Sequence, residues 1–248
     1  VSLWEGIAIL LSGVGAGTIN TVVGSGTLIT FPTLLAFGLS PVTANVSNTI
    51  GLAPGSFSGA WGYRAELRGR GARLLRLGTA SLVGGIIGAV LLLVLPSDAF
   101  DAIVPALIVL ALVLVIAGPR INRWLARRSP DVGERGFVWP AVAGAGVYGG
   151  YFGAAQGVLL MAILGIGIDD DLQTHNATKN FLAGIVNGIA AVVFVAVADV
   201  DWKVVPLIAV GSVTGAQLGA RFGRKLSPHV LRAVIVVVGL AALASFIW

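Results

Sequence analysis

Two kinds of polar cluster interrupt an apolar chain, and both have the chemistry of an anion site. The first kind is a glycine-rich break. It reads Asn20-Thr-Val-Val-Gly-Ser-Gly-Thr27 early in the chain and Gly149-Gly-Tyr-Phe-Gly-Ala-Ala-Gln-Gly157 later. A helix that restarts after glycine points free N–H groups and its positive dipole end at whatever lies beyond. Backbone N–H groups at Ser25, Gly26 and Thr27 and at Gln156 and Gly157 are therefore candidate anion donors, with the Ser25, Thr27 and Gln156 side chains beside them. The second kind opens a long apolar segment: Thr43-Ala-Asn-Val-Ser-Asn-Thr49 and Thr174-His-Asn-Ala-Thr-Lys-Asn180. Asn45, Asn48 and Thr49 share one helix face by their spacing, and Asn176, Lys179 and Asn180 repeat it. Lys179 stands alone as a cation inside an apolar segment, and a point positive charge among amides suits an anion. The competing readings are a tight turn at each break and snorkelling of Lys179 to an interface.

The elements that position these residues must be membrane helices. Of 248 residues, 56% are hydrophobic and 11% charged, against about 25% charged in soluble domains. Apolar runs at 74–95, 102–118, 181–198, 204–220 and 230–248 approach the roughly 20 residues that cross a bilayer. The net charge of +5 does not indicate nucleic acid, because Lys and Arg concentrate in three connections, 64–76, 120–135 and 221–232. The positive-inside rule accounts for them and places the basic links in the cytoplasm, in a multi-pass protein of a prokaryotic cell membrane. Six Trp residues fall near run ends, as in an interfacial belt. The absence of cysteine excludes disulfides, thiolate metal sites and cysteine nucleophiles. The first run lacks the basic flank of a signal peptide. Asp169-Asp170-Asp171 reads as an acidic helix start rather than a metal site.

The chain repeats itself. At an offset of 131 residues Gly13, Gly15 and Gly26 meet Gly144, Gly146 and Gly157, and Asn45 meets Asn176. Further on, Ser81, Gly84, Gly88 and Leu95 meet Ser212, Gly215, Gly219 and Leu226. Charge reverses between equivalent places: 64–76 is basic and 195–207 acidic. The expected fold class is an all-α polytopic membrane protein of two inverted-topology repeats. Each holds a broken short-helix hairpin (4–20 with 26–38; 137–152 with 156–168) and three longer transmembrane helices (42–62, 73–95, 99–118; 174–198, 203–223, 229–248). The chain reads as one transmembrane domain over 1–248, with repeat one at 1–118, a cytoplasmic basic link at 119–136 and repeat two at 137–248. Ten crossings and six with re-entrant hairpins remain open, and both give an odd number per repeat.

With these residues in view, the chain resembles the TauE/SafE sulfite exporter family, also called the TSUP transporters. The resemblance rests on Val200-Asp-Trp-Lys203, Gly211-Ser-Val-Thr-Gly-Ala-Gln-Leu-Gly-Ala-Arg-Phe222 and Leu226-Ser in the second half. In the first half it rests on Gly24-Ser-Gly-Thr, Pro32-Thr-Leu-Leu, Gly38-Leu-Ser-Pro41 and Ala44-Asn-Val-Ser-Asn. It implies transport of sulfite, organosulfonates or other organic anions, often outward, with coupling to a proton or ion gradient and no cofactor. Two departures fall at the proposed site. Gly153-Ala-Ala-Gln-Gly157 replaces a denser glycine run, and His175-Asn-Ala-Thr-Lys-Asn180 replaces a small, hydroxyl-rich sequence.

The function expected is a secondary transporter of a small oxyanion, held near mid-membrane where the hairpins meet, with repeats rocking in alternating access. The partners are the small anionic substrate and the lipid bilayer, with no nucleic acid. An anion channel of the same architecture is the alternative, because filter chemistry is common to both. A rhomboid-like protease would need Gly-x-Ser-Gly, where this chain has Val23-Gly-Ser-Gly. A cation exporter is disfavoured by the lack of carboxylates in the long segments. His175 reads as an interfacial residue or helix-entry contact rather than a proton carrier.

Overall fold

A computed structural model describes residues 2–125, 135–223 and 228–247. The described residues form helices throughout: α1 (Leu3–Val22), α2 (Thr27–Ala36), α3 (Pro41–Gly62), α4 (Gly71–Val94), α5 (Ser97–Leu125), α6 (Val138–Tyr151), α7 (Gln156–Gly167), α8 (Leu172–Val197), α9 (Val205–Phe222) and α10 (Pro228–Ile247). Several helix starts are written in local chemistry. Ser2 and Glu5 close a capping box on α1, Ser40 caps α3 ahead of Pro41, and Asp171 caps α8 through the N–H groups of Gln173 and Thr174. The sequence ended the fifth segment at 118, before Pro119. The helix instead continues through Pro119 to Leu125.

Among the described residues, four helices are long and apolar enough to cross a membrane: Leu3–Val22, Gly71–Val94, Ser97–Ile121 and Leu172–Val197. Large apolar side chains such as Ile87, Val113, Val195 and Val237 lie exposed on the outer helices. So wide an apolar exterior would associate in water and is at home in lipid. The protein is therefore a multi-pass membrane protein.

The helices pack reciprocally between halves. α1 lies along α9 and α6 along α4. Both contacts run over small residues that let backbones touch: a Cβ added at Gly215 would strike the Val14 carbonyl, and one at Gly84 the Ala143 carbonyl. α3 also packs on α9 and α8 on α4, while α2 meets α10 and α7 meets α5. At the centre α3 crosses α8, where Asn187 Nδ2 donates to Ser56 Oγ at 2.9 Å. These two residues occupy equivalent positions in the halves.

Contacts at the two ends fix the sense of that crossing. The Asp201 N–H, beyond the end of α8, donates to Ser47 Oγ near the start of α3 at 3.0 Å. Asp170, before the start of α8, pairs with Arg70 and Arg73 beyond the end of α3. Hence α3 and α8 run antiparallel. The Arg135 N–H donates to the Gly167 carbonyl at 2.9 Å, so this arginine joins the Arg70–Asp170 end.

The repeat register needs one adjustment. From α3 onward the offset of 131 holds: Ser40 and Asp171 are equivalent caps. In the hairpins the offset is 129. Val22 and Tyr151 end equivalent helices, Gly24 and Gly153 carry equivalent positive φ angles, and Val14 and Ala143 make equivalent contacts. The difference is absorbed where α2 has 10 residues and α7 has 12. Gly26 is thus the mate of Ala155, not of Gly157.

Candidate functional site

The two breaks meet. Gly24 turns the chain after α1 with φ +89°, and its carbonyl accepts the Gly157 N–H at 3.1 Å. A Cβ on either glycine would collide with the other residue's Cα, so only bare backbone fits here. At the second break Gly153 (φ +78°) and Ala155 (φ +61°) are both left-handed. For alanine that conformation costs about 1–2 kcal/mol, and local strain of this kind clusters at ligand sites.

The breaks were expected to offer N–H groups from both sides. The amides of Ser25, Gly26 and Thr27 have no acceptor among the described residues. Those of Gln156 and Gly157 are already spent, on the Gly153 and Gly24 carbonyls. The cause is the two-residue register shift, which brings Gly157 against the opposite break. The second break's contribution passes to the Gln156 side chain, buried over Gly149 with its Nε2 unpartnered.

Lys179 is 1% exposed and does not snorkel. Its Nζ donates to the Asn20 carbonyl at 3.2 Å and the Thr21 carbonyl at 3.0 Å, and Asn180 Nδ2 joins it on Thr21 at 3.2 Å. These carbonyls belong to the last turn of α1, where they lack helical partners and where a cation is favoured. A Cβ on Gly157 would come within 3.1 Å of the lysine's Cδ, so the lysine stem runs past the meeting point of the breaks. No acidic side chain is among the buried polar residues described.

On the other flank, Asn48 accepts from Thr30 Oγ1 and donates to Thr27 Oγ1 at 3.5 Å, at the start of α2. Asn45 donates to the Tyr151 carbonyl at 2.9 Å, closing the end of α6, while its Oδ1 is buried without a partner. The Thr49 and Asn176 side chains are buried and make no hydrogen bond to a described residue. Asn48 and Lys179 each stand eight residues before the α3–α8 crossing, about 12 Å along their helices. The helices are antiparallel, so the polar residues expected at one mid-membrane site fall into two clusters flanking the paired breaks. Ser25 Oγ lies fully buried and unpartnered within the first break.

Sequence reasoning missed Thr30, the polar contact of Ser56 with Asn187 and Asn20, and the Tyr151 carbonyl. The 131-residue offset that joins Asn45 to Asn176 also joins Ser56 to Asn187, and was the available signal. Asp171 serves as the expected helix cap. Asp170 does something unforeseen, binding Arg70 at 2.8 Å and Arg73 at 2.6 Å. A cavity of about 520 Å³ between α2 and α10 is lined by Pro32, Leu35, Val238 and Ala242 among others, apart from the polar clusters.

The arrangement groups buried donors of the kind that suit a small anion, and among its described residues no nucleophile is hydrogen-bonded to a base. Comparison with known proteins agrees with a transport role. A "Probable membrane transporter protein" of Sinorhizobium sp is 28% identical over 230 residues, covering 91% of this chain and 86% of that protein. Escherichia coli YfcA, also described as a probable membrane transporter protein, is 25% identical over 236 residues, covering 94% and 86%. A Haemophilus influenzae protein of the same description is 24% identical over 240 residues, covering 94% and 91%. No solved structure matches. Residues 9–246 match the family described as Sulfite exporter TauE/SafE, and so the chain is a membrane transporter that belongs to this family.

Proposed function

We propose that the protein is a secondary carrier of a small sulfur-containing oxyanion, sulfite or an organosulfonate, moved by alternating access. One observation carries the reading: Lys179 is buried beside the paired breaks, and its acceptors among the described residues are two neutral carbonyls. Removing an ammonium from water costs several kcal/mol, and a neutral carbonyl pair repays only part of it. An anion arriving between the breaks supplies the missing charge. The Ser25, Gly26 and Thr27 amides, Ser25 Oγ and Gln156 Nε2 are the donors that would orient it. A tight turn between packed helices leaves this group of buried atoms unexplained, at about 1–3 kcal/mol each for those that stay unpaired.

The same reading places the repeats inverted in the bilayer, with the Arg70, Arg73 and Arg135 end in the cytoplasm of a prokaryotic cell. What supports it is the antiparallel crossing of α3 and α8 together with the basic character of one end. Burial of every candidate ligand means that one half must move against the other to admit substrate. Purified protein is to be screened for thermal stabilisation by sulfite, sulfate, methanesulfonate and sulfoacetate. We expect stabilisation by sulfite or a sulfonate, lost in Lys179→Gln and kept in Lys179→Arg. Equal stabilisation of wild type and Lys179→Gln would remove the lysine from the site. Saturable counterflow in liposomes identifies a carrier, and ohmic conductance a channel.

A further inference from the structure

α8 carries three ionisable residues at four-residue spacing on one face: Asp171 at its cap, His175 one turn in, and Lys179 one turn further. They form a ladder from the helix start to the buried site. Asp171 is at the surface, His175 is 7% exposed and Lys179 1%. The His175 side chain makes no hydrogen bond to a described residue, so holding the local structure together does not account for it. The equivalent positions on α3 are Ser40, Ala44 and Asn48, none of which titrates near neutral pH. The ladder therefore exists at one end of the molecule only.

We propose that His175 passes the Lys179 proton to and from solution at the α8-start end, so that anion movement is coupled to proton movement through that end. This rests on the anion reading of the Lys179 site. The transfer is a plain acid–base exchange. An N–H bond of the Lys179 ammonium breaks and leaves its electron pair on Nζ; the proton bonds to one imidazole nitrogen. The other ring nitrogen then releases its proton to the Asp171 carboxylate or to water at the helix start. Side chains four apart on a helix have Cβ atoms about 5–6 Å from each other, a gap that a lysine swing or one water closes.

The charged surroundings of the ladder are few. His175 faces Asp169, Asp170 and Asp171 before its own helix and Arg73 of α4; Arg70 shares Asp170. α3 and α7 carry no titratable side chain, and α6 only Tyr148 and Tyr151. α4 also carries Arg76, and α1 carries Glu5 at its far end. Among the described residues, the Lys179 ammonium hydrogen-bonds to the Asn20 and Thr21 carbonyls, the latter shared with Asn180 Nδ2.

The test uses the full chain in proteoliposomes with methanesulfonate, a probe that does not itself titrate near neutral pH, and a luminal pH dye. Wild type should move methanesulfonate and protons together, with a rate that depends on pH. His175→Gln should bind methanesulfonate as wild type does, by thermal shift, while proton movement slows at least about tenfold and the pH profile flattens. Lys179→Arg should bind the anion and move no proton. Methanesulfonate movement by wild type without protons overturns the relay, as does a wild-type pH profile in His175→Gln. His175→Asn serves where the glutamine variant loses a cooperative melt. A wild type that neither binds nor moves sulfite or methanesulfonate overturns the anion reading, and the relay with it.

Discussion

Gly24 shows how much one residue carries in this fold. It ends α1 in a conformation that side chains resist, and its Cα lies against the Gly157 backbone. Gly24→Ala adds about 1–2 kcal/mol of backbone strain and drives the breaks apart. We expect a lowered melting temperature and a loss of anion-dependent stabilisation, measured together on purified protein; full retention of both would mean that the meeting of the breaks is dispensable. The glycine's place in a break was legible, since Gly24 and Gly26 sit with the polar Ser25 and Thr27 in an otherwise apolar stretch. Its partner was not. Aligning Gly26 with Gly157 by the long-range repeat put the wrong residues face to face, because nothing in the apolar sequence of α7 marks its extra two residues. For the same reason the Gln156 and Gly157 amides read as open donors when they are already engaged. Lys179 was picked out correctly as an outlier, but sequence cannot tell a buried amine from a snorkelling one. That depends on the last turn of α1 arriving beside it, through a contact between residues far apart in the chain.

At the scale of the element, caps and interruptions explain most boundaries. Ser40, Pro41 and Asp171 announce helix starts. Pro119 misled, because a proline costs one hydrogen bond and a kink, and a long apolar helix can absorb that where its neighbours pack. Asp171 offers a clean test of an element's own energetics. Hydrogen bonds from the Thr174 hydroxyl and the Thr174 and Gln173 N–H groups hold its carboxyl below the ordinary carboxylate range. Because the folded value is depressed, this stabilisation is fully present above the unfolded value of about 4 and fades as pH falls through the folded one. Asp171→Ala should cost about 1 kcal/mol at neutral pH and progressively less in acid. Melting curves of the two proteins at pH 7 and pH 3 should therefore converge; a constant gap would mean that the carboxylate's charge plays no part.

For the whole molecule, the order of the ten described helices was visible in the sequence, from the alternation of apolar runs with glycine breaks and basic links. The reciprocal packing of α1 on α9 and α6 on α4 was not visible, because it pairs opposite halves. Inverted insertion predicts that positions 70 and 201 face opposite compartments. The chain has no cysteine, so Arg70→Cys and Asp201→Cys can each be made in the native background and labelled with a membrane-impermeant maleimide in intact cells. Label at position 201 alone is expected; label at both, or at 70 alone, contradicts the orientation proposed.

Asp170 holds two guanidinium groups at once, whereas the opposite end is closed by a neutral contact between Ser47 and Asp201. Separating the halves at the first end breaks a charged latch, and separating them at the second breaks an uncharged one. Surface ion pairs are weakened by salt and neutral hydrogen bonds hardly at all. On the alternating-access reading proposed above, the empty protein should therefore lean towards opening at the Ser47 end, and rising ionic strength on the other side should even the balance. Dissolved salt would then act as a dial on which compartment the empty carrier faces.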